Sequence, residues 1–329
     1  TYAAIGVAAP LILVLLRFVQ GLAIGGQWGG AMLLVTESAP ADQRGWYGAY
    51  AQAGAPVGVI LANLAFIGVS SSMSEEAFMD WGWRLPFIAS IVLIGISMYV
   101  QLRLEDTEAF KALQESQDGE ASDQPIAASP VVEAIRKYPK RIMLAAGAFL
   151  SVQVTFYILI AFIIAYGVTA PELALSRDTM LTAVLIAAAI MVPSQFYFSG
   201  LSDRVGRKQI YRWGAILTGL WGFALFPLIN TGEPLMIVIA VTLGLTFLGM
   251  QYGPQAAYFT ELFTTEVRYS GASLGYQIGA ILGGALAPTI AVLLWNELGI
   301  FYVSVYILVA AILTLLSLSA LEETKGRTL

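Results

Sequence analysis

The chain has 329 residues, 58% of them hydrophobic and 12% charged, with a mean hydropathy of +0.75, which excludes a water-soluble domain and fits a polytopic membrane protein. It contains no Cys and no His; disulfide staples, thiolate chemistry, His-based metal sites and a histidine proton relay are therefore excluded, and any proton coupling must use carboxylates. The net charge of −5 comes without a basic patch beyond short loops, which argues against a nucleic acid partner.

Nine apolar runs, at 10–36, 46–69, 83–102, 142–168, 179–198, 214–229, 235–260, 269–295 and 300–320, are read as spanning helices, which need ~20 residues each. Thr1 is neither an initiating Met nor part of a cleavable signal pattern, and the chain is expected to begin in mid-protein. The first run carries Arg17, the one ionised group deep within any run, where insertion costs at least ~2.5–3.5 kcal/mol. Arg17 is therefore expected to face a cavity or a partner, with Gln20 and Gln27 on its helical face; snorkelling to the interface is the competing reading. Gly21, Gly25 and Gly29 recur at every fourth position, as do Gly271, Gly275, Gly279 and Gly283, and predict close helix packing. Pro56 and Pro254 predict kinks.

Residues 105–140 form the one long hydrophilic stretch, acidic from Glu105 to Asp123 and basic at Arg136, Lys137, Lys140 and Arg141. It reads as a solvated linker flanked by short surface helices, with no chemistry assigned. Between the fifth and sixth runs, Gly200 to Lys208 read G-L-S-D-R-V-G-R-K. This stretch is expected to be a short loop, reversed at Gly200 and Gly206. Arg204, Arg207, Lys208 and Arg212 assign it to the cytoplasmic side. Threading the chain from there leaves only Arg84 and Arg177, of 17 Lys and Arg, outside and Arg17 within a span; Thr1 starts outside and the C-terminus is cytoplasmic.

An internal repeat organises the runs. Thr36-Glu37 followed by Arg44 matches Thr260-Glu261 followed by Arg268, position 268 standing 224 after position 44, and Gln52-x-Gly54-x-x-x-Gly58 matches Gln277-x-Gly279-x-x-x-Gly283. Two parallel-related halves follow. The second shows six runs and the first three, so three helices are expected ahead of Thr1. The boundaries read as a partial N-terminal bundle at 1–104, the linker at 105–140 and a six-helix bundle at 141–329. Glu37, Arg44, Asp203, Arg204, Arg207, Glu261 and Arg268 gather at one end as a charged cytoplasmic gate of surface pairs, each contributing ~0–1 kcal/mol. Polar rows of Arg17, Gln20 and Gln27, of Gln153 and Tyr157, and of Gln251, Gln255 and Tyr258 on three apolar helices point to one wet cavity, interhelical hydrogen bonds being the alternative for each Gln.

The segments Arg17-Phe-Val-Gln-Gly-Leu-Ala-Ile-Gly-Gly-Gln-Trp-Gly-Gly30, Trp81-Gly-Trp-Arg84, Gly200 to Lys208 and Arg268-Tyr-Ser-Gly resemble the metabolite:proton symporters of the major facilitator superfamily. The terminal Glu323-Thr-Lys-Gly-Arg327 is similar to the sugar-porter tail of that superfamily. The resemblance covers the chain from Thr1 onward and implies an all-α major facilitator fold lacking its first three helices, with nine transmembrane helices that are family helices 4 to 12, and helices 4, 7 and 10 lining the cavity. It also implies substrates such as shikimate, citrate, α-ketoglutarate or other dicarboxylates, or proline and betaine, moved with protons. One position departs from the family: Gln27 stands where Glu is common, which leaves coupling to an acid in the absent helices or removes it.

The sequence thus reads as a multi-pass secondary transporter of the cytoplasmic membrane, working by alternating access on a small organic acid or zwitterion with protons, as a monomer in the lipid bilayer. It is not an enzyme, and no metal or cofactor is expected. Arg17 is assigned to a substrate carboxylate or a coupling carboxylate, and Gln20, Gln27, Gln153, Tyr157, Gln251 and Gln255 to the lining. Two rival readings are a non-transporting sensor or scaffold with the same fold and an inactive truncated transporter.

Overall fold

A computed structural model describes residues 5–103 and 130–327. Among the described residues all regular structure is helical, as a chain crossing hydrocarbon requires, since a helix satisfies its own backbone groups. In chain order the elements are α1 (Ala8–Ile24), α2 (Gln27–Glu37), α3 (Arg44–Ser71), α4 (Glu75–Asp80), α5 (Gly82–Arg103), α6 (Pro130–Lys137), α7 (Pro139–Thr169), α8 (Arg177–Val205), α9 (Arg207–Ile229), α10 (Pro234–Glu261), α11 (Val267–Leu298) and α12 (Ile300–Ala320). Eight of these are long and apolar enough to cross a membrane. The ninth expected span is split into α1 and α2 at Gly25-Gly26, where consecutive glycines weaken the helix. Both keep right-handed dihedrals, with Gly25 at φ −52° and Gly26 at φ −97°, so the two pieces continue one kinked path. The acidic part of the linker, 105–129, lies outside the described residues; its basic end forms the short helix α6.

The core belongs to α7–α12. Helix α10 packs between α8 and α9, while α12 closes against α7 and α9. Phe149, Ile158, Leu159, Phe162, Tyr211, Phe226 and Phe259 are fully buried between them. The earlier helices lean on this bundle through α2 and α3. Helix α3 lies along α8 and α10, and α2 reaches α10 and α11. Helix α5 has no buried residue from Leu85 to Arg103, and α1 is exposed from Pro10 to Gly21.

Glycine sets how close these helices come, though not in the row expected for the first run. Gly21 has open space around it, whereas a Cβ at Gly26 would lie 2.2 Å from the Tyr269 hydroxyl and one at Gly29 2.1 Å from Ser273 Oγ. The α11 row does face a neighbour. Gly275, Gly279 and Gly283 sit against Ala145, Phe149 and Gln153 of α7. Two π-turns, Ile158–Phe162 within α7 and Ala280–Ala285 within α11, lie beside this contact, as such bulges commonly do at functional places.

Candidate functional site

The stretch 200–208 is not a loop. Helix α8 runs through Val205, only Gly206 leaves the helical region, with φ +115°, and α9 starts at Arg207. Gly200 stays helical and lies against Trp46. Keeping Asp203 and Arg207 helical on either side of a one-residue break brings Asp203 Oδ1 to 2.5 Å from Arg207 Nη1. Arg207 also donates from Nε and Nη2 to both oxygens of Glu261, at 3.1 Å each. Asp203 then reaches across to the start of α3, where Oδ1 accepts from Gly45 N–H at 2.8 Å and Oδ2 from Trp46 N–H at 2.9 Å. A carboxylate from α8 thereby caps the N-terminus of α3, satisfying amides that the helix cannot pair and meeting its positive dipole end.

Glu37 and Arg268, at the ends of α2 and α11, pair at 3.0 Å. Their repeat mates, Glu261 and Arg44, do not pair in the same way. Glu261 is taken by Arg207 and by the Thr324 hydroxyl at 2.6 Å, and Arg44 Nη1 donates to the Arg327 carbonyl at 2.6 Å. The C-terminal tail has entered the network and broken its symmetry. Glu323 caps α9, accepting from the N–H groups of Arg207 and Lys208 at 3.0 Å. Arg204 is exposed; its carbonyl accepts from Lys325 Nζ. The surface pairs expected at this end are in fact buried. The side chains of Arg207, Asp203 and Glu261 are 1%, 7% and 0% exposed, so losing one partner strands a charge and costs ~3–5 kcal/mol rather than a fraction of one.

Above the charged end lies an aromatic plug. Trp28 of α2 stacks on Tyr276 of α11 at 4.5 Å and meets Phe149 of α7 edge-on, and Phe149 stacks on Phe259 of α10 at 4.1 Å. The Trp28 indole donates to Gln52 Oε1 at 3.1 Å, and Gln52 Nε2 donates to the Tyr252 carbonyl at 2.7 Å. Its repeat mate, Gln277, donates to the Gly25 carbonyl at 2.8 Å. Each of these glutamines therefore hydrogen-bonds a main-chain oxygen of the other half. Gln153 lies beside Tyr276 and Gly283, and the half-exposed Tyr157 ring faces Gly284.

The polar rows do not converge on one cavity. Gln153 and Tyr157 lie at this centre. Gln251 and Gln255 point instead into the C-terminal bundle, where they donate to Thr218 Oγ1 at 2.8 Å and to the Tyr211 hydroxyl at 2.5 Å. Both are fully buried, because their face of α10 looks at α9. Arg17 is exposed on α1 and bonded to Gln20 at 2.9 Å. Gln27 is turned away from Trp28, into an open groove of about 910 Å³ that it shares with Ser97, Gln101 and Tyr269. The sequence assigned no site role to Trp28, Tyr252, Tyr276 or Glu323; Trp28 and Glu323 stood only within the motifs of the resemblance, and Gln52 and Gln277 only as repeat markers.

Residues 1–274 match the family model described as Major Facilitator Superfamily. The chain belongs to that superfamily. It is 35% identical to a putative metabolite transport protein of Haemophilus influenzae over 99% of this chain and 75% of the relative. It is 33% identical to the shikimate transporter of Escherichia coli, over 92% of this chain and 69% of the relative. A solved proton:xylose symporter of the superfamily, bound to 6-bromo-6-deoxy-D-glucose, superposes with a TM-score of 0.68 at 16% identity, covering 91% of this chain and 68% of that one. This major facilitator protein is thus an all-helical, multi-pass transporter of the cell membrane, acting on a small molecule, and not an enzyme.

Proposed function

We propose that the chain moves a small organic acid or zwitterion in symport with protons by alternating access, its two parts, 1–104 and 141–329, rocking about the contact of α2 and α3 with α8, α10 and α11. The observation that carries this reading is the gate, in which buried charges tie the ends of α2 and α3 to α8, α11 and the C-terminal tail directly beneath a polar and aromatic centre. A seal of that kind closes one side of a substrate path and leaves the other to open. The clustering of Arg204, Arg207, Lys208, Arg212, Lys325 and Arg327 at this end supports placing it, and the C-terminus, in the cytoplasm. Gln153 and Tyr157 serve as lining; Gln251 and Gln255 act behind the wall, fixing α9 to α10. Arg17, with Gln20 and Gln27, acts toward a carboxylate on the open side of α1 and α2. The shikimate relative supports an organic acid.

The test is uptake of a panel of radiolabelled organic acids and zwitterions into vesicles containing the full-length protein, with an imposed pH gradient. Concentrative uptake that collapses with a protonophore is expected; the absence of concentrative uptake of every panel member by folded protein would overturn the reading. Arg17→Lys keeps the charge but loses the planar two-pronged donor, and is expected to abolish uptake with normal membrane insertion. Uptake by that variant within about twofold of wild type would remove Arg17 from the mechanism, since a snorkelling residue tolerates Lys.

A further inference from the structure

Helix α6 enters the bundle at the level where α7 begins its span, and its sequence is divided by face. Glu133, Arg136 and Lys137 occupy one arc, and Val131, Val132, Ala134 and Ile135 the other. Only Ala134 of the apolar arc is covered by protein; Val131, Val132 and Ile135 stay exposed. A helix that leaves such an arc uncovered beside a spanning segment is built to lie in the membrane interface. Between α6, the start of α7 and the end of α12 opens a cleft of about 260 Å³, lined by Lys137, Tyr138, Lys140 and Arg141 and floored by Leu144, Leu262, Ala320 and Leu321.

Positive charge outnumbers negative around this cleft, with Lys137, Lys140 and Arg141 against Glu322. Lys137 pairs with Glu133 at 2.5 Å, and Arg141 donates to the Leu262 carbonyl and lies over the Tyr138 ring. Lys140 is exposed and has no acidic partner among the described residues. The one acid in the lining, Glu322, is engaged by Arg327 and lies 3.8 Å from Arg141. Cations at the rim, leucines at the floor and an interfacial helix alongside match an amphiphile with an anionic head. We propose that this cleft binds the phosphodiester headgroup of an anionic phospholipid, with its glycerol and upper acyl chains against Leu144, Leu262 and the open arc of α6. Substrate and proton play no part in this assignment.

The experiment uses the full chain in detergent and compares phosphatidylglycerol, phosphatidylcholine and inorganic phosphate at equal concentration. Lipid retention is read by native mass spectrometry and thermal stability by melting. Phosphatidylglycerol alone is expected to be retained and to raise the melting temperature, in a salt-sensitive manner. In Lys137→Gln/Lys140→Gln its retention is expected to fall by roughly tenfold or more, since each basic residue near a lipid surface contributes about a factor of five, while melting in phosphatidylcholine is unchanged. Val132→Asn/Ile135→Asn, which leaves the cations in place, is expected to lower retention as well. Equal retention of the two lipids, an equal effect of inorganic phosphate, or undiminished retention by the lysine variant would each overturn the proposal. If the lysine variant does not fold, the valine-isoleucine variant and the wild-type lipid comparison decide.

Discussion

Arg207 sits where the most interactions meet. Its guanidinium holds Asp203 and Glu261 together, its backbone N–H is held by Glu323, and it is almost wholly buried. Arg207→Ala would leave two carboxylates without their counter-charge, and a loss of ~3–5 kcal/mol is expected in unfolding measurements on the purified protein. Arg207→Lys is expected to fall between, since one ammonium cannot make the parallel pair of bonds to Glu261. At this scale the sequence was informative about membership and poor about partners. The repeat drew Glu37, Arg44, Glu261 and Arg268 to one end, and the run of charges around Gly206 added Asp203 and Arg207. Which of them pair depends on a tail sixty residues downstream of Glu261, whose Thr324 and Arg327 take the places that symmetry offers to Arg44 and Glu261, and no spacing announces that. Arg204 is drawn into the same set by its charge alone, yet it is exposed, and its carbonyl is what meets the tail.

Among elements, the packing distances are set by where a side chain is missing. A Cβ at Gly253 of α10 would meet Ser199 Oγ at 2.3 Å and the Gln195 carbonyl at 2.8 Å, whereas one at Gly58 of α3 would meet nothing within 4 Å. The same substitution should therefore act in opposite directions. Gly253→Ala is expected to destabilise by ~1–3 kcal/mol through overpacking, and Gly58→Ala to stabilise by up to ~1 kcal/mol through helix propensity; paired melting curves of the two variants check both. Eight of the nine expected spans and their order were legible from apolar run length, because a bilayer admits little else; the break at Gly25-Gly26 was not. The direction each helix faces was not. Gln251 and Gln255 read as cavity residues because they form a polar row on an apolar helix, but a row facing α9 has the same spacing as a row facing a cavity. The π-turns that bring Tyr157 against Gly284 leave no pattern in sequence either.

In the molecule as a whole, the two parts are joined at the charged end and in the aromatic plug, with α2 and α11 in direct contact. The added Cβ at Gly29 would lie 3.4 Å from that of Ser273, close to the span of a disulfide, and the chain has no Cys to compete. Gly29→Cys/Ser273→Cys in the full-length protein is expected to cross-link on oxidation and hold the gate shut, so that uptake falls to background and returns with a thiol reductant. Cross-linking that leaves uptake intact would show that α2 and α11 travel together. One further feature bears on how such a transporter yields to genetics. Gln52 and Gln277 each bind a carbonyl of the opposite part, and every residue has a carbonyl, so no substitution at Tyr252 or Gly25 can delete the acceptor itself. Selection for variants that loosen this contact is therefore expected to return changes at the glutamines many times and at their partners rarely, and a second-site suppressor of a damaged glutamine is expected away from Tyr252 and Gly25.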